Sequence, residues 1–133
     1  FPEPALHPTD SVERAGVRGL CHIISCDIHP INNLRTLKYL TNELGISEEQ
    51  KTQWYQHWIE LGFEALEAQI NATPYTCGGR VSMLDIYLVP QVYNALRFKQ
   101  DMTRFPKILA VYNACNELYA FKTAAPEMQP DAS

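Results

Sequence analysis

The chain contains no run of apolar residues approaching the roughly 18 that a membrane span requires. No secretory leader with a charged start and a small-residue cleavage site opens it. A cytoplasmic location with no membrane partner is the expectation. It also lacks a basic excess: 11 Lys and Arg stand against 15 Asp and Glu, for a formal net charge of -4. Nothing in that balance attracts nucleic acid or an anionic lipid surface. Cysteine is sparse, and Cys21, Cys26, Cys77 and Cys115 form no CxxC pair and have no histidine at metal-ligand spacing. A metal site is therefore not expected, and free thiols in a reducing compartment are. Neither Cys21 nor Cys26 has a neighbouring base in the sequence that would mark an activated nucleophile. Period-two alternation and internal repeats are also missing, which argues against strands and solenoids.

Apolar residues nevertheless make up 46% of the 133 positions, with two Trp, seven Tyr and five Phe. That is enough to bury one core, in a chain too short for two domains. The spacing predicts helices. Asp10 can cap a first one with Glu13 at N3, carrying Val12, Gly16, Leu20, Ile23 and Ile24 to about Asp27. Pro30 removes a backbone donor and crowds the preceding turn. The helix is therefore expected to kink or restart near His29 and to continue through Leu34, Leu37 and Leu40 to Gly45. Ser47 and Gln50 form a capping box for a further helix, whose stripe is Trp54, Trp58, Leu61, Ala65, Leu66 and Ile70. Residues 73–81, with Gly78 and Gly79, form a loop.

Ser82-Met83-Leu84-Asp85 is the sharpest local signal, a second capping box with Val81 and Ile86 placed as a hydrophobic staple. Ser82 and Asp85 are assigned to structure, so Asp85→Ala should cost about 1–2 kcal/mol. The helix behind them, from Ile86 to Leu96, is apolar nearly all round and belongs in the middle of the domain, bent at Pro90. A last helix starts at Phe105-Pro106. The expected fold is all-α, a bundle of about five helices over residues 9–124, with a linker at 1–8 and a loose Pro-rich tail at 125–133.

Several strings go further than period and composition. They are His29-Pro30-Ile31-Asn32-Asn33-Leu34-Arg35 with Leu37-Lys38-Tyr39-Leu40, Gly62-Phe63-Glu64-Ala65-Leu66-Glu67, Val81-Ser82-Met83-Leu84-Asp85, and the run from Leu88-Val89-Pro90-Gln91-Val92 to Arg97-Phe98. Together they resemble the zeta class of glutathione transferases, the maleylacetoacetate isomerases, over essentially the whole chain. The resemblance implies the helical C-terminal domain of that fold. It also implies a preceding thioredoxin-like domain, whose Ser-Ser-Cys motif has no counterpart here, and a homodimeric parent. Phe1-Pro2-Glu3-Pro4 then resembles the interdomain linker. The chain is accordingly expected to be a substrate-side fragment without a catalytic residue of its own, folded but inactive alone.

The family's cofactor is glutathione, whose thiolate adds to the cis double bond of maleylacetoacetate. Rotation and elimination then give fumarylacetoacetate, a step of tyrosine and phenylalanine breakdown. Read alone, His29 is a helix-junction residue, Asn33 a surface polar group and Arg97 a cation favoured by the helix dipole. The resemblance implies instead that His29, Asn33, Leu34 and Arg35 approach glutathione. Arg97 and Arg35 would meet the carboxylates of the dianionic substrate, which a guanidinium fork holds in two bonds. Maleylpyruvate isomerase and a non-catalytic, transferase-like interaction module are the alternatives.

Overall fold

The structure is a computed structural model, describing residues 3–132. Phe1 and Pro2 of the expected linker, and Ser133 of the expected tail, lie outside the described residues. The fold is all-helical. Among the described residues five helices have nine residues or more: α1 (Ser11–His22), α3 (Leu34–Asn42), α4 (Glu48–Gln69), α5 (Met83–Arg97) and α6 (Pro106–Asn116). Two short ones, α2 (His29–Ile31) and α7 (Tyr119–Ala124), complete the set. Among the described residues no helix is long and apolar enough to cross a membrane.

Asp10 caps α1, its Oδ1 accepting from Val12 and Glu13 N–H at 2.9 Å each. The buried face, however, is Val17, Cys21, Ile24 and Ile28, while Val12 is 78% exposed. Of the stripe expected from the sequence, Ile24 is buried and Leu20 and Ile23 pack half-buried against the core, whereas Val12 and Gly16 are exposed. Near His29, where a kink or restart was expected, the helix changes pitch. It runs on through a π-helical stretch, Ile23–Ile28, into α2, with the His29 N–H bonded to the Ile24 carbonyl. The wider coil relieves the pressure that the Pro30 ring would put on the carbonyl one turn back. The break falls instead at Asn32 and Asn33, where Asn33 caps α3. Gly45, at φ 67°, turns the chain out of α3 in the left-handed region that glycine enters without penalty.

In α4 the Ser47–Gln50 capping box forms, with bonds of 2.9 and 3.1 Å. Its core face is Tyr55, Ile59, Phe63, Leu66 and, just past the helix, Ile70. Trp54 and Trp58 flank this face half-buried, edge to face at 5.6 Å, and Leu61 is 47% exposed. The apolar columns are too many for all of them to be covered, and the neighbours of α4 select which are. Those neighbours are the π-helical stretch, α3 and α6.

Helix α5 lies centrally, against α1 and α6, and buries Leu84, Leu88, Val92 and Ala95 completely. Its capping box is present. Asp85, fully buried, accepts from the Ser82 N–H at 2.7 Å, the Ser82 hydroxyl at 2.8 Å and, from the preceding loop, the Thr76 N–H at 2.8 Å. The Met83 N–H donates to the Leu6 carbonyl at 2.8 Å, tying the segment before α1 to the start of α5. After α7 the chain makes a 3-10 turn, Pro126–Met128, and returns to α5.

Candidate functional site

Ile86, Pro90 and Asn94 recur every four residues and share the outer face of α5. That face was expected in the core, yet Ile86 is 40% and its neighbour Tyr87 37% exposed. The reason is two clefts that meet along it. One, of about 330 Å³, lies between α5 and the π-helical stretch and is lined by Ser25, His29, Tyr87 and Gln91 beside the shared ridge. The other, about 640 Å³, lies between α5, α6 and the C-terminal segment; Tyr93, Arg97, Tyr112, Phe121 and Glu127 line it. Val81 lines a separate depression beside residues 5–9, so the apolar side chain at N4, Ile86, serves the clefts.

His29 owes its place to the segment around it. Asn32, 7% exposed, donates from Nδ2 to the Tyr55 carbonyl at 3.0 Å, and Trp54 Nε1 donates to the Ile31 carbonyl at 3.4 Å. The Thr36 hydroxyl takes up the Pro30 carbonyl at 3.1 Å. A helix end that would otherwise leave its carbonyls open is thereby pinned to α4. Gly62 lets α4 come close: a Cβ there would stand 2.3 Å from Ile28 Cδ1, one residue before His29.

Arg97 closes α5, where a cation also complements the helix dipole. Its neighbour Phe98 stacks on Tyr55 with ring centroids 3.6 Å apart, and Gln56 Nε2 donates to the Phe98 carbonyl at 2.8 Å. The guanidinium lies 6.0 Å from the Tyr93 ring centre and is exposed. The Tyr93 hydroxyl donates to Glu127 Oε1 at 2.6 Å. That bond raises the phenol's pKa and holds the Glu127 carboxyl below its usual range.

Of the residues singled out from the sequence, His29 and Arg97 come to adjoining clefts on one helix face. Asn33, Leu34 and Arg35 do not line either. They form the start of α3, where Leu34 is 64% exposed and the Asn33 Oδ1 accepts the Arg35 N–H at 3.1 Å. The Asn33 amide nitrogen is left to donate, and Arg35 and His29 are both exposed. Sequence reasoning missed Gln91 and Glu127. Gln91, 4% exposed, has a buried Nε2 without a hydrogen-bond partner, and a polar residue inside an otherwise apolar helix was the available signal. Glu127 lies 34 residues from Tyr93, in a tail with no periodicity to read. The buried thiols are unsuited to nucleophilic work, since burial pushes Cys21 up to about 11 and Cys115 up to about 12.

No family model matches the chain. It is 49% identical over 134 residues to a probable maleylacetoacetate isomerase of Vibrio cholerae, covering 99% of this chain and 62% of that protein. The crystal structure of a maleylpyruvate isomerase from Pseudomonas aeruginosa PAO1 superimposes with a TM-score of 0.93 at 40% identity, covering 99% of this chain and 71% of that one. A maleylacetoacetate isomerase from Anaeromyxobacter dehalogenans, with glutathione bound in its active site, does so at 0.92 and 36% identity, covering 99% and 61%. The chain thus spans less than two thirds of the Vibrio relative's length.

Proposed function

Because the chain belongs to the maleylacetoacetate isomerase family, the zeta class of glutathione transferases, we propose that it forms the substrate-side part of a glutathione-dependent cis-trans isomerase acting on maleylacetoacetate. The observation that carries this reading is the pairing of His29 and Arg97 in two clefts joined along Ile86, Pro90 and Asn94. One end of that surface offers hydrogen-bond donors, the other a cation, and the floor between is apolar. A bulky anion with an unsaturated carbon body is matched by such an arrangement.

His29, the Asn33 amide and Arg35 would hold glutathione. Bound there, glutathione supplies the thiol nucleophile that adds reversibly to the double bond. Arg97 holds a substrate carboxylate; Arg35, which lines neither cleft, is left to the glutathione end. Ile86, Pro90 and Tyr87 exclude water from the carbon skeleton. No group on this surface is assigned the task of activating a thiol. In the family that task falls to a thioredoxin-like domain, so this chain by itself should bind glutathione no more tightly than about millimolar and turn nothing over. The cytoplasmic setting, the homodimer and the place in tyrosine and phenylalanine breakdown belong to the same proposal.

Assay of the isomerase containing this sequence, on maleylacetoacetate and on maleylpyruvate, tests the reading. Arg97→Ala should lower kcat/KM on the dicarboxylate by about 1.5–3 kcal/mol, the scale of a charged hydrogen bond, with glutathione affinity little changed. Parallel loss of turnover, glutathione affinity and thermal stability would make Arg97 a structural residue. Faster turnover of maleylpyruvate would transfer the assignment to the Pseudomonas relative's namesake reaction.

A further inference from the structure

Arg97 makes no ion pair among the described residues, although a carboxylate stands in the same cleft. That carboxylate is Glu127, carried on the 3-10 turn Pro126–Met128, and its Oε1 is taken by the Tyr93 hydroxyl at 2.6 Å. Tyr93 lies one helical turn before Arg97 on α5, and the guanidinium is 6.0 Å from its ring centre. Tyr93, Arg97, Pro126 and Glu127 together line the larger cleft and a depression continuous with it. A hydroxyl donor and a guanidinium in one cleft form a carboxylate-binding pair, and in this structure the hydroxyl is occupied by the protein's own tail.

Resting on the reading of Arg97 as the group that meets a substrate carboxylate, we propose that Glu127 is an internal substitute for that carboxylate, bound to Tyr93 and displaced when an anionic ligand enters the cleft. Glu127 then sets specificity in two ways. Its charge opposes an entering carboxylate, and its departure frees the Tyr93 hydroxyl to become a second donor beside Arg97. A ligand with one carboxylate and an apolar body gains both donors. A neutral ligand of the same shape gains nothing from displacing Glu127, so the tail discriminates against it. Tyr93, with Arg97 acting in the same direction, holds the Glu127 carboxyl below its usual range, so both neighbours favour its anionic form.

Maleate, a small cis dicarboxylate, is the probe. Its affinity for this chain, and for the Glu127→Gln and Arg97→Gln variants, is measured by amide chemical-shift titration, with circular dichroism as the check on folding. Glu127→Gln should tighten maleate about three- to fivefold, the effect of removing one nearby like charge in a solvent-exposed setting. The exchange protection of residues 125–132 should fall when maleate saturates the unsubstituted chain. Arg97→Gln should abolish saturable shifts. Loss in Arg97→Gln with no gain in Glu127→Gln would overturn the role of Glu127 and leave that of Arg97 standing. Weaker binding in Glu127→Gln would overturn it too, by making Glu127 part of the binding wall. Equal affinity of all three proteins, or saturable binding to none, would overturn both readings.

Discussion

Substituting Gly62 by alanine tests the packing that places His29. In an exposed helix interior this change is favourable by about 1 kcal/mol, because alanine has less backbone freedom to lose. Here the new Cβ would stand 2.3 Å from Ile28 Cδ1 and 2.4 Å from Ile28 Cγ1, with Ile23 Cγ2 at 3.6 Å. Ordinary carbon contacts lie near 3.5–4.0 Å, so α4 or the π-helical stretch must give way by more than 1 Å. Ile28 is 1% exposed, so any shift of its side chain displaces packed neighbours. Overpacking of this kind costs about 1–3 kcal/mol. Taken at its upper half and set against the helix gain, it leaves Gly62→Ala destabilising by about 1–2 kcal/mol. For a chain of this size that lowers Tm by roughly 5 °C, measured by thermal circular dichroism. Ile28→Ala alone should cost about 2–5 kcal/mol through its cavity. In that background Gly62→Ala should become stabilising by about 1 kcal/mol, since the methyl enters vacated space and the helix gain remains. The pair should therefore couple by about 2–3 kcal/mol in a double-mutant cycle. If Gly62→Ala raises Tm equally with and without Ile28, the two elements do not meet as described and the support argued for His29 is wrong.

Asp85→Ala should cost about 3–5 kcal/mol rather than the 1–2 of an exposed cap, because it strands the buried Thr76 N–H and Ser82 N–H as well as removing the carboxylate; urea unfolding measures it, and a loss under 1 kcal/mol would refute the buried network. Iodoacetamide at neutral pH should label Cys26 and Cys77, which are exposed, and spare Cys21 and Cys115 until the protein unfolds, a pattern that peptide mass mapping reads directly. Cys21 and Cys115 ionise near the ordinary thiol value of 9.0 once unfolded but only at about 11 and about 12 when folded. Stability held below pH 9 should therefore be lost as pH rises through that window, and a flat Tm across it would contradict their burial.

Much of the architecture is local and so was legible in the residues. Asp10, Ser47 and the Ser82–Asp85 box mark helix starts because a short side chain can reach N–H groups only two or three residues away, and Pro106 marks another by its preset φ. The face that each helix buries was less legible. Val12 and Leu61 are apolar yet exposed, and Cys21 is buried although the expected stripe omitted it; only the neighbouring helices decide which apolar column is covered. The cap of α6 is beyond sequence reasoning altogether. Both Glu67 carboxylate oxygens, 40 and 41 residues away on α4, take the N–H groups of Lys107 and Ile108 at 2.8 and 2.9 Å. The site divides along the same line. His29 and Arg97 stood out by their strings, but that they share a surface follows from the π-helical stretch docking on Gly62 and from Phe98 stacking on Tyr55. Glu127 reaches Tyr93 only because the tail folds back over α5. Capping and turn chemistry act over a few bonds and are written in consecutive residues, whereas which side chains meet across a cleft depends on helix placement, a property of the whole packed core.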